Sequence, residues 1–235
     1  MASRRSYGSY NDGCAAAHAL DLVGERWTMI VVRELLLGPK RFSDLQRDVL
    51  GIGPAVLTQR LQGLESSGIA VRRRLPAPAR VEVYELTEWG YALEDVNTAL
   101  SRWAVSSPAL PIEADMSPDT VVLAMRAHAR PVPGPAGEQR ISLLLTDSRR
   151  EGADPVGYTA LVSEQGTSVV RDEAGDPSRA DAWIAATTRD WKACLIGGVP
   201  LDDLPGVTVS GDPGAVRRLV GATALRGPAS PASVG

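Results

Sequence analysis

Residues 41–86 read RFSDLQRDVLGIGPAVLTQRLQGLESSGIAVRRRLPAPARVEVYEL, and this stretch decides the fold of the N-terminal half. It opens with a short amphipathic segment. Ser43 is predicted to cap that segment, because a serine hydroxyl can accept an unsatisfied backbone N–H at a helix start. Gly-Ile-Gly-Pro at 51–54 then breaks the chain. Gly53 suits a cap and Pro54 suits the first helical position, so a second helix is predicted to begin there.

The second predicted helix has one apolar face and several polar positions. Leu57, Leu61 and Leu64 recur at intervals of four and three residues, which places them on the same side of a helix. Thr58 and Gln59 lie on other faces. Uncharged polar side chains of this kind can read the edges of bases. The helix is therefore a candidate for entering a DNA groove.

A basic hairpin follows this helix. Ser-Ser-Gly at 66–68 ends the helix, and a strand from Ile69 leads into three arginines at 72–74. A turn is predicted at 76–78, Pro-Ala-Pro, before a return strand at 80–86. A short helix, a turn, a second helix and a hairpin in this order predict a winged helix-turn-helix domain.

Charge is distributed unevenly along the chain. The formal net charge of all 235 residues is -3, which argues against non-specific nucleic-acid binding. Residues 40–80 differ, since eight basic and three acidic side chains give them a net charge of +5. A solvated basic face would explain a charge run alone, but a run on the hairpin after a helix-turn-helix favours DNA.

The candidate DNA contacts divide into two kinds. Thr58 and Gln59 are predicted to contact bases. Arginines can hold phosphates, which sets register and affinity without reading sequence. Arg60 is predicted to contact a phosphate or to pair with a carboxylate such as Glu65. The complete set of candidates is Arg41, Ser43, Thr58, Gln59, Arg60, Arg72, Arg73, Arg74 and Arg80.

Motifs across the first hundred residues resemble a known family. They are Cys14, ALDLVGERWT at 19–28, REL at 33–35, GPKRFSDL at 38–45, LTQRL at 57–61 and YELTEWG at 84–90. Together they are similar to the HxlR family of bacterial transcription regulators, over roughly residues 10–105. The resemblance implies a dimeric winged helix that binds operator DNA and pairs through its first and last helices.

The segment after the hairpin gives a local argument for that dimer. Residues 88–103 are predicted to form a helix with Leu93, Val96, Leu100 and Trp103 on one face, as a partner helix would require. Packing within one subunit explains the same pattern. A two-fold partner would place two reading helices about 34 Å apart, so the target is expected to be a pseudo-palindrome.

Cysteine usage bears on compartment and on regulation. Only Cys14 and Cys194 are present, with no disulfide framework, no secretory signal and no apolar run approaching twenty residues, which predicts a cytoplasmic protein. Some members of the resembled family sense oxidants or electrophiles through an N-terminal cysteine, and Cys14 matches that position. The sequence itself favours a buried structural thiol, because Asp12 nearby opposes a thiolate. Zinc at Cys14 and His18 is not expected, since two ligands do not make a site.

The C-terminal half is predicted to be a separate domain. Residues 106–111, Ser-Ser-Pro-Ala-Leu-Pro, have the composition of a linker. We predict a DNA-binding and dimerisation domain at 1–106, a linker at 107–115, a second domain at 116–222 and a disordered tail at 223–235.

The second domain is predicted to mix helices and strands. Ser117 is expected to cap a helix, and strands are expected at 141–145, 158–162, 167–170 and 180–186. The order that follows, over 187–219, is similar to the sterol-carrier-protein-2-like fold. The resemblance implies an α+β domain with helices on one face of a mostly antiparallel sheet. It also implies an apolar tunnel for acyl or isoprenoid ligands.

A ligand pocket would be lined by large apolar side chains of this domain. The candidates are Leu143, Leu145, Tyr158, Trp183, Trp191 and Leu195. Each is more often ordinary core, because a domain of about a hundred residues must bury most such side chains to offset chain entropy.

No catalytic motif was found. The two histidines, His18 and His128, lie in different halves, and there is no G-x-S-x-G elbow, metal-binding cysteine cluster or phosphate-cradling glycine motif. We therefore expect no enzyme activity, no cofactor and no metal.

Three hypotheses for function follow. The first is a dimeric DNA-binding regulator in which an apolar metabolite, bound in the second domain, alters the spacing of the reading helices. The second is a regulator switched by oxidation at Cys14. The third is a lipid-carrier module whose winged helix makes only protein contacts.

Overall fold

A computed structural model describes residues 9–133, 137–172 and 179–225. The chain divides into two compact units, Met1–Asn97 and Thr98–Gly235, and each is considered by itself. Residues 107–115, for which the composition predicts a linker, lie in the second unit. Of the predicted disordered tail, residues 226–235 lie outside the described residues.

The first unit contains five complete helices and a two-stranded sheet among its described residues. They are α1 (Ala15–Val23), α2 (Thr28–Leu35), α3 (Phe42–Asp48), α4 (Pro54–Ser66), β1 (Ala70–Arg74), β2 (Glu82–Leu86) and α5 (Glu88–Tyr91). The next helix, α6 (Leu93–Ala104), starts in this unit and ends in the second. The order is that of the predicted winged helix-turn-helix.

The start of α4 follows the sequence prediction, and the start of α3 does not. Gly53 is the N-cap of α4 and Pro54 its first residue. The predicted cap of α3, Ser43, instead lies inside the first turn, and Arg41 is the N-cap residue. The carboxylate of Asp44 accepts the Arg41 backbone N–H at 3.3 Å. An acid at the third helical position thus satisfies a donor at the helix start and leaves the Ser43 hydroxyl exposed.

The core of the first unit forms along the apolar stripe of α4. Leu57, Leu61 and Leu64 are buried, and α4 packs against α2 and β1. From α2, Val31 and Leu35 are fully buried. With this face covered, the opposite side of α4 faces solvent.

The helix predicted at residues 88–103 is two helices, separated at Ala92. Thr87 caps the first of them, α5, and its hydroxyl accepts the backbone N–H of Gly90 at 3.0 Å. A Cβ atom at Gly90 would lie 2.1 Å from the Ile69 carbonyl oxygen. Only glycine therefore lets α5 approach the backbone just before β1 so closely.

The second unit combines helices with one five-stranded sheet. Its described elements after α6 are α7 (Pro118–His128), β3 (Gln139–Thr146), β4 (Val156–Val162), β5 (Thr167–Arg171), β6 (Ala182–Thr187), α8 (Thr188–Leu195), β7 (Val207–Gly211) and α9 (Pro213–Thr223). As predicted, Ser117 caps α7, and its hydroxyl accepts the Thr120 N–H at 3.1 Å.

The sheet has the strand order β5-β4-β3-β6-β7. Neighbouring strands are antiparallel except β3 and β6, which are parallel. Leu143 is opposite Tyr158 in β4 and Ile184 in β6, and all three are buried. Helices α8 and α9 pack against the sheet. The relation of this unit to the sterol-carrier-protein-2-like fold stays a prediction.

In the ranges that the structure describes, no helix is both long enough and apolar enough to span a membrane.

Candidate functional site

The outer face of α4 carries the two residues predicted to contact bases. Thr58 and Gln59 are both exposed. The Thr58 hydroxyl donates to the Pro54 carbonyl at 2.9 Å, so its own helix already uses its proton. Within the described part of the chain, the Gln59 amide has no protein partner. Gln59 is therefore the side chain best placed to offer a donor and an acceptor to a base edge.

Arg60 has an internal partner. Its guanidinium lies 3.0 Å from the carboxylate of Glu25, and only 13% of the Arg60 side chain is exposed. Glu65, the acid considered from sequence, is not this partner. Arg60 thus helps to hold α4 in place and is a weaker candidate for a phosphate contact.

Two of the three consecutive arginines of the hairpin are paired across the strands. Arg72 forms an ion pair with Glu82, and Arg73 forms one with Glu85. The register explains both pairs, because Arg72 lies opposite Tyr84, which makes Glu82 its diagonal neighbour. The stretch 40–86 thus has eight basic and five acidic residues, a net charge of +3, and the hairpin is less basic than the arginine run alone indicates.

The end of the hairpin holds the unpaired cations. Arg74 and Arg80 are exposed, and the Arg74 Nε donates to the Arg80 carbonyl at 3.3 Å. Among the residues that the structure describes, neither guanidinium meets a carboxylate. Arg41 and Ser43 are also exposed, at the start of α3. These four side chains are available to a phosphate backbone.

Lys40 contributes to the basic run in sequence but not to the surface. Its side chain is buried, with the Nζ atom 2.8 Å from Glu34 and 3.0 Å from Asp48. Burial opposes ionisation of Asp48, but hydrogen bonds and charges from Arg47 and Lys40 outweigh it and lower the pKa of this carboxyl. The cluster joins α2 to α3.

The backbone of Lys40 ties this cluster to the hairpin. Lys40 and Tyr84 exchange two backbone hydrogen bonds of 3.0 and 2.8 Å. The strand β2 is thereby fixed to the segment before α3. Sequence reasoning missed this role, since a lysine among surface arginines gives no local sign of burial.

Cys14 is exposed, so the expectation of a buried structural thiol is wrong. Cys14 is the N-cap residue of α1, and the backbone N–H groups of Ala17 and Ala16 stabilise its thiolate and lower its pKa. The Asp12 carboxylate accepts a hydrogen bond from the Cys14 backbone N–H, at 2.9 Å. The thiol therefore has the two properties that oxidation requires, access and thiolate character.

The other titratable clusters offer no comparable site. Cys194 is buried, and burial raises the pKa of its thiol. Over the described ranges, no three His, Cys, Asp or Glu side chains are grouped so that they could hold a metal ion.

Helix α6 exposes an apolar face. Val96, Leu100 and Trp103 are all exposed, Trp103 by 79%. None of the residues of α6 is buried, and the same holds for α1. An amphipathic helix whose apolar side faces water is a candidate surface for a partner helix.

The second unit contains a cavity of about 140 Å³ between its helices. It is lined by Ser101, Ala104, Val105, Leu110, Met116, Val121, Ala124, Met125, His128, Lys192, Leu195, Ile196, Thr223 and Leu225. Of the six predicted lining residues, Leu195 alone is in this set.

The other five predicted residues lie elsewhere for a physical reason. Leu143, Leu145 and Tyr158 are buried in the sheet, whose inner face is filled by the packed helices. Trp191 is fully buried, and Trp183 is half-buried in β6. These side chains fill the core beside the sheet, whereas the cavity lies between helices and is lined by other residues.

Two polar side chains with ionisable groups line the cavity. Burial, together with the charges of Arg102 and Arg130, lowers the pKa of His128, which favours the neutral imidazole. The Lys192 ammonium donates to the Ala114 carbonyl at 2.6 Å. An apolar chamber with a few polar groups is the usual form of a small-molecule site.

Comparison with known proteins identifies the N-terminal part. Residues 22–108 match the HxlR-like helix-turn-helix family. The HTH-type transcriptional regulator YvaP of Bacillus subtilis is 37% identical over 87 residues, which are 37% of this chain and 80% of that protein. The HTH-type transcriptional regulator YodB of the same organism is 36% identical over 86 residues, 37% of this chain and 77% of the relative.

Solved structures match the same region. The reduced form of YodB from B. subtilis is 33% identical and covers 41% of this chain and 95% of its own, with a TM-score of 0.38. The quinone-bound form is 32% identical over 38% of this chain and 93% of its own, with a TM-score of 0.34.

The relatives are named as transcriptional regulators, which bind DNA and are not enzymes. The match covers the helices and the hairpin that carry the exposed polar face of α4 and the arginines beside it. The chain belongs to the HxlR-like helix-turn-helix family of transcriptional regulators.

Proposed function

We propose that the protein is a sequence-specific transcription regulator that binds a pseudo-palindromic operator as a homodimer. The observation that carries the proposal is the outer face of α4, where Gln59 is exposed and has no protein partner in the described residues. A helix of this kind can enter the major groove, where an amide side chain reads adenine through two hydrogen bonds.

The arginines of the hairpin supply the second part of the interface. Arg74 and Arg80 are exposed and meet no carboxylate within the described chain, so they are the first candidates for phosphate contacts. Arg72 forms an ion pair with Glu82, and Arg73 forms one with Glu85, so their charges are partly neutralised. The expected contribution of the hairpin to affinity is thus smaller than that of four free arginines.

The dimer is supported by α6. Its exposed Val96, Leu100 and Trp103 would be covered by the same helix of a second copy. Burial of apolar surface stabilises a contact by about 25 cal/mol per Å², so covering these side chains favours association. Two copies related by a two-fold axis would then present two reading helices to two half-sites.

Selection of bound fragments from genomic DNA tests the proposal. The expected result is an inverted repeat, bound by a dimer with an affinity that falls steeply as salt rises. The double variant Gln59→Ala/Arg74→Ala should no longer select this repeat from genomic DNA. The proposal fails if the native protein binds all duplexes equally or none.

The second unit is proposed to hold a small apolar effector in its cavity. A ligand regulates only if it binds the DNA-competent and incompetent states with different affinity. The walls of the cavity include Ser101 and Ala104 of α6, the helix that also carries the proposed dimer face. Thermal unfolding in the presence of small apolar compounds tests this role, and stabilisation by none of them would contradict it.

Cys14 supports a second candidate mode of regulation. Its thiol is exposed and its pKa is lowered by the start of α1. YodB, a relative by sequence, has been solved in reduced and quinone-bound forms. Operator release under a quinone should be lost in Cys14→Ser and kept in Cys194→Ser, whose thiol is buried. Equal release by all three proteins leaves no role for Cys14.

A lipid-carrier role without DNA binding is the least supported alternative. A cavity of about 140 Å³ is smaller than the roughly 300 Å³ at which pockets for drug-sized ligands begin. A long acyl or isoprenoid chain would not fit in it.

A further inference from the structure

The size of the cavity in the second unit limits what can occupy it. Its volume of about 140 Å³ is close to that of an apolar cavity of about 150 Å³ known to hold benzene. The walls are mainly aliphatic, from Val121, Met125, Leu195 and Ile196 among others. The apolar part of a ligand is thus limited to one ring or a short branched chain.

Lys192 gives the cavity a charged group that is incompletely satisfied. The residue is 8% exposed and lines the cavity. In the described part of the chain its ammonium makes one hydrogen bond, to the Ala114 carbonyl at 2.6 Å. An ammonium has three donors, so donors remain for a further acceptor.

An acid that interacts with Lys192, Asp115, is already paired with Arg189. Asp115 lies close enough to Lys192 for its pKa to be lowered by the lysine, but Arg189 has the larger effect. The Arg189 guanidinium donates two hydrogen bonds to the Asp115 carboxylate, of 2.6 and 3.2 Å. Lys192 forms no direct ion pair with a described residue, so its ammonium can take a further, anionic partner.

Two further cations lie close to one wall of the cavity. Arg102 and Arg130 act on His128, which lines the wall and whose pKa they help to lower. Asp and Glu are absent from the described lining of the cavity. The environment thus disfavours a cationic ligand and favours an anionic one.

We propose that this cavity binds a small organic monocarboxylate, with the Lys192 ammonium holding the carboxylate and the aliphatic walls enclosing one ring or a short branched chain. The inference rests on the proposed role of the cavity as the effector site and names the class of effector. A charge-assisted hydrogen bond from a buried ammonium selects the anion, while the volume excludes long acyl chains.

Isothermal titration of the full chain with benzoate, and with benzamide as the uncharged analogue, tests the proposal. The two probes have the same ring, so the difference in Kd measures the value of the charge. Benzoate should bind at least about tenfold more tightly. Hexadecanoate, which exceeds the cavity, should not compete with benzoate.

Variants assign the effect to Lys192. Lys192→Met keeps an unbranched chain and removes the charge, so the Kd for benzoate should rise by about 10- to 100-fold while that for benzamide changes less than about threefold. Arg217→Met removes an exposed cation of the same unit and should change neither Kd. If Lys192→Met does not fold, Lys192→Gln, which keeps a donor, must show the same loss of preference.

A cavity-filling variant separates this inference from the proposed effector site. Ala124→Leu should abolish binding of both probes, because Ala124 lines the cavity. Equal binding of benzoate and benzamide overturns the carboxylate class and leaves the effector site in place. If neither probe binds and small apolar compounds also leave thermal unfolding unchanged, both proposals fail, whereas binding of operator DNA is untouched by that result.

Discussion

Arg60 of α4 is held by Glu25, with 3.0 Å between guanidinium and carboxylate. The arginine is almost covered, with 13% of its side chain exposed, whereas 69% of the Glu25 side chain is exposed. The pair links α4 to the segment between α1 and α2. Arg60 therefore helps to hold α4 in place, whereas Arg74 and Arg80 of the hairpin are exposed and meet no carboxylate among the described residues.

The salt dependence of DNA binding should distinguish these two kinds of arginine. Each phosphate contact that is lost lowers the slope of log affinity against log salt by about one. Arg74→Ala should show that decrease, because its guanidinium is exposed and meets no carboxylate among the described residues. Arg60→Ala should leave the slope unchanged.

Glu25→Gln provides the control for this comparison. The substitution removes the ion pair and keeps Arg60, so unfolding free energy should change by less than about 1 kcal/mol, as for other partly exposed pairs. The assignment is contradicted if Arg60→Ala reduces the slope as much as Arg74→Ala does. Fluorescence anisotropy of a labelled operator over a range of salt concentrations measures the salt slope of the three variants Arg74→Ala, Arg60→Ala and Glu25→Gln.

Gln59→Ala should relax the preference for particular base pairs. The amide of a glutamine can make two hydrogen bonds to adenine, and such a contact contributes about 1–3 kcal/mol of discrimination. Binding to non-specific duplex should hardly change, since that term comes from phosphates. Competition between the operator and single-base variants measures the effect. Gln165→Ala, an exposed glutamine of the second unit, should behave as the native protein, and matching losses in the two variants would refute the assignment.

The winged helix was predictable because its signals are local. The Gly53-Pro54 start, the leucine stripe of α4 and the Pro-rich turn of the hairpin each depend on a few neighbouring residues, and the structure has all of them. Four of the five strands of the second unit were also predicted from short apolar runs. The break at Ala92 was missed, because residues on both sides of it continue one helical pattern.

Contacts between distant segments were not predictable in the same way. The pairing of Arg72 with Glu82 depends on the register of the hairpin, and the burial of Lys40 depends on how α2 meets α3. The cavity depends on four helices, α6 to α9, whose packing no local pattern specifies. Prediction from side-chain type alone therefore selected residues of the hydrophobic core, and only Leu195 among them lines the cavity.

Glu82→Gln should strengthen binding to DNA. The glutamate pairs with Arg72. If the hairpin approaches DNA as proposed, the Glu82 charge would also repel the phosphates. Removing it should raise affinity for any duplex by about threefold at low salt and increase the salt slope, with little effect on sequence preference. Glu164→Gln, at an exposed turn of the second unit, removes the same charge far along the chain and is the matched control. An unchanged affinity for Glu82→Gln would show that the hairpin does not approach DNA.

Tyr158→Phe should destabilise the second unit. The Tyr158 hydroxyl donates to the Asp119 carboxylate at 2.6 Å, and both residues are buried. Arg171 also contacts this carboxylate, at 3.2 Å, so the charge keeps one partner in the variant. Loss of a hydrogen bond to a buried charged group should lower the free energy of unfolding by about 1.5–3 kcal/mol. Tyr10→Phe, at an exposed tyrosine, should have no effect in the same denaturation experiment.

Acid should weaken the first unit through Asp48. Its pKa is lower in the folded protein because Arg47 and Lys40 outweigh the effect of burial. The unfolded chain, with a pKa of about 3.9, therefore takes up the proton first, and stability is full above that pH and falls as the pH drops toward the folded pKa. Asp48→Asn should cost about 1–3 kcal/mol at pH 7 and flatten this dependence between about pH 5 and pH 2. Denaturant titrations across that range test both effects, and parallel pH profiles for variant and native protein would contradict the role given to Asp48.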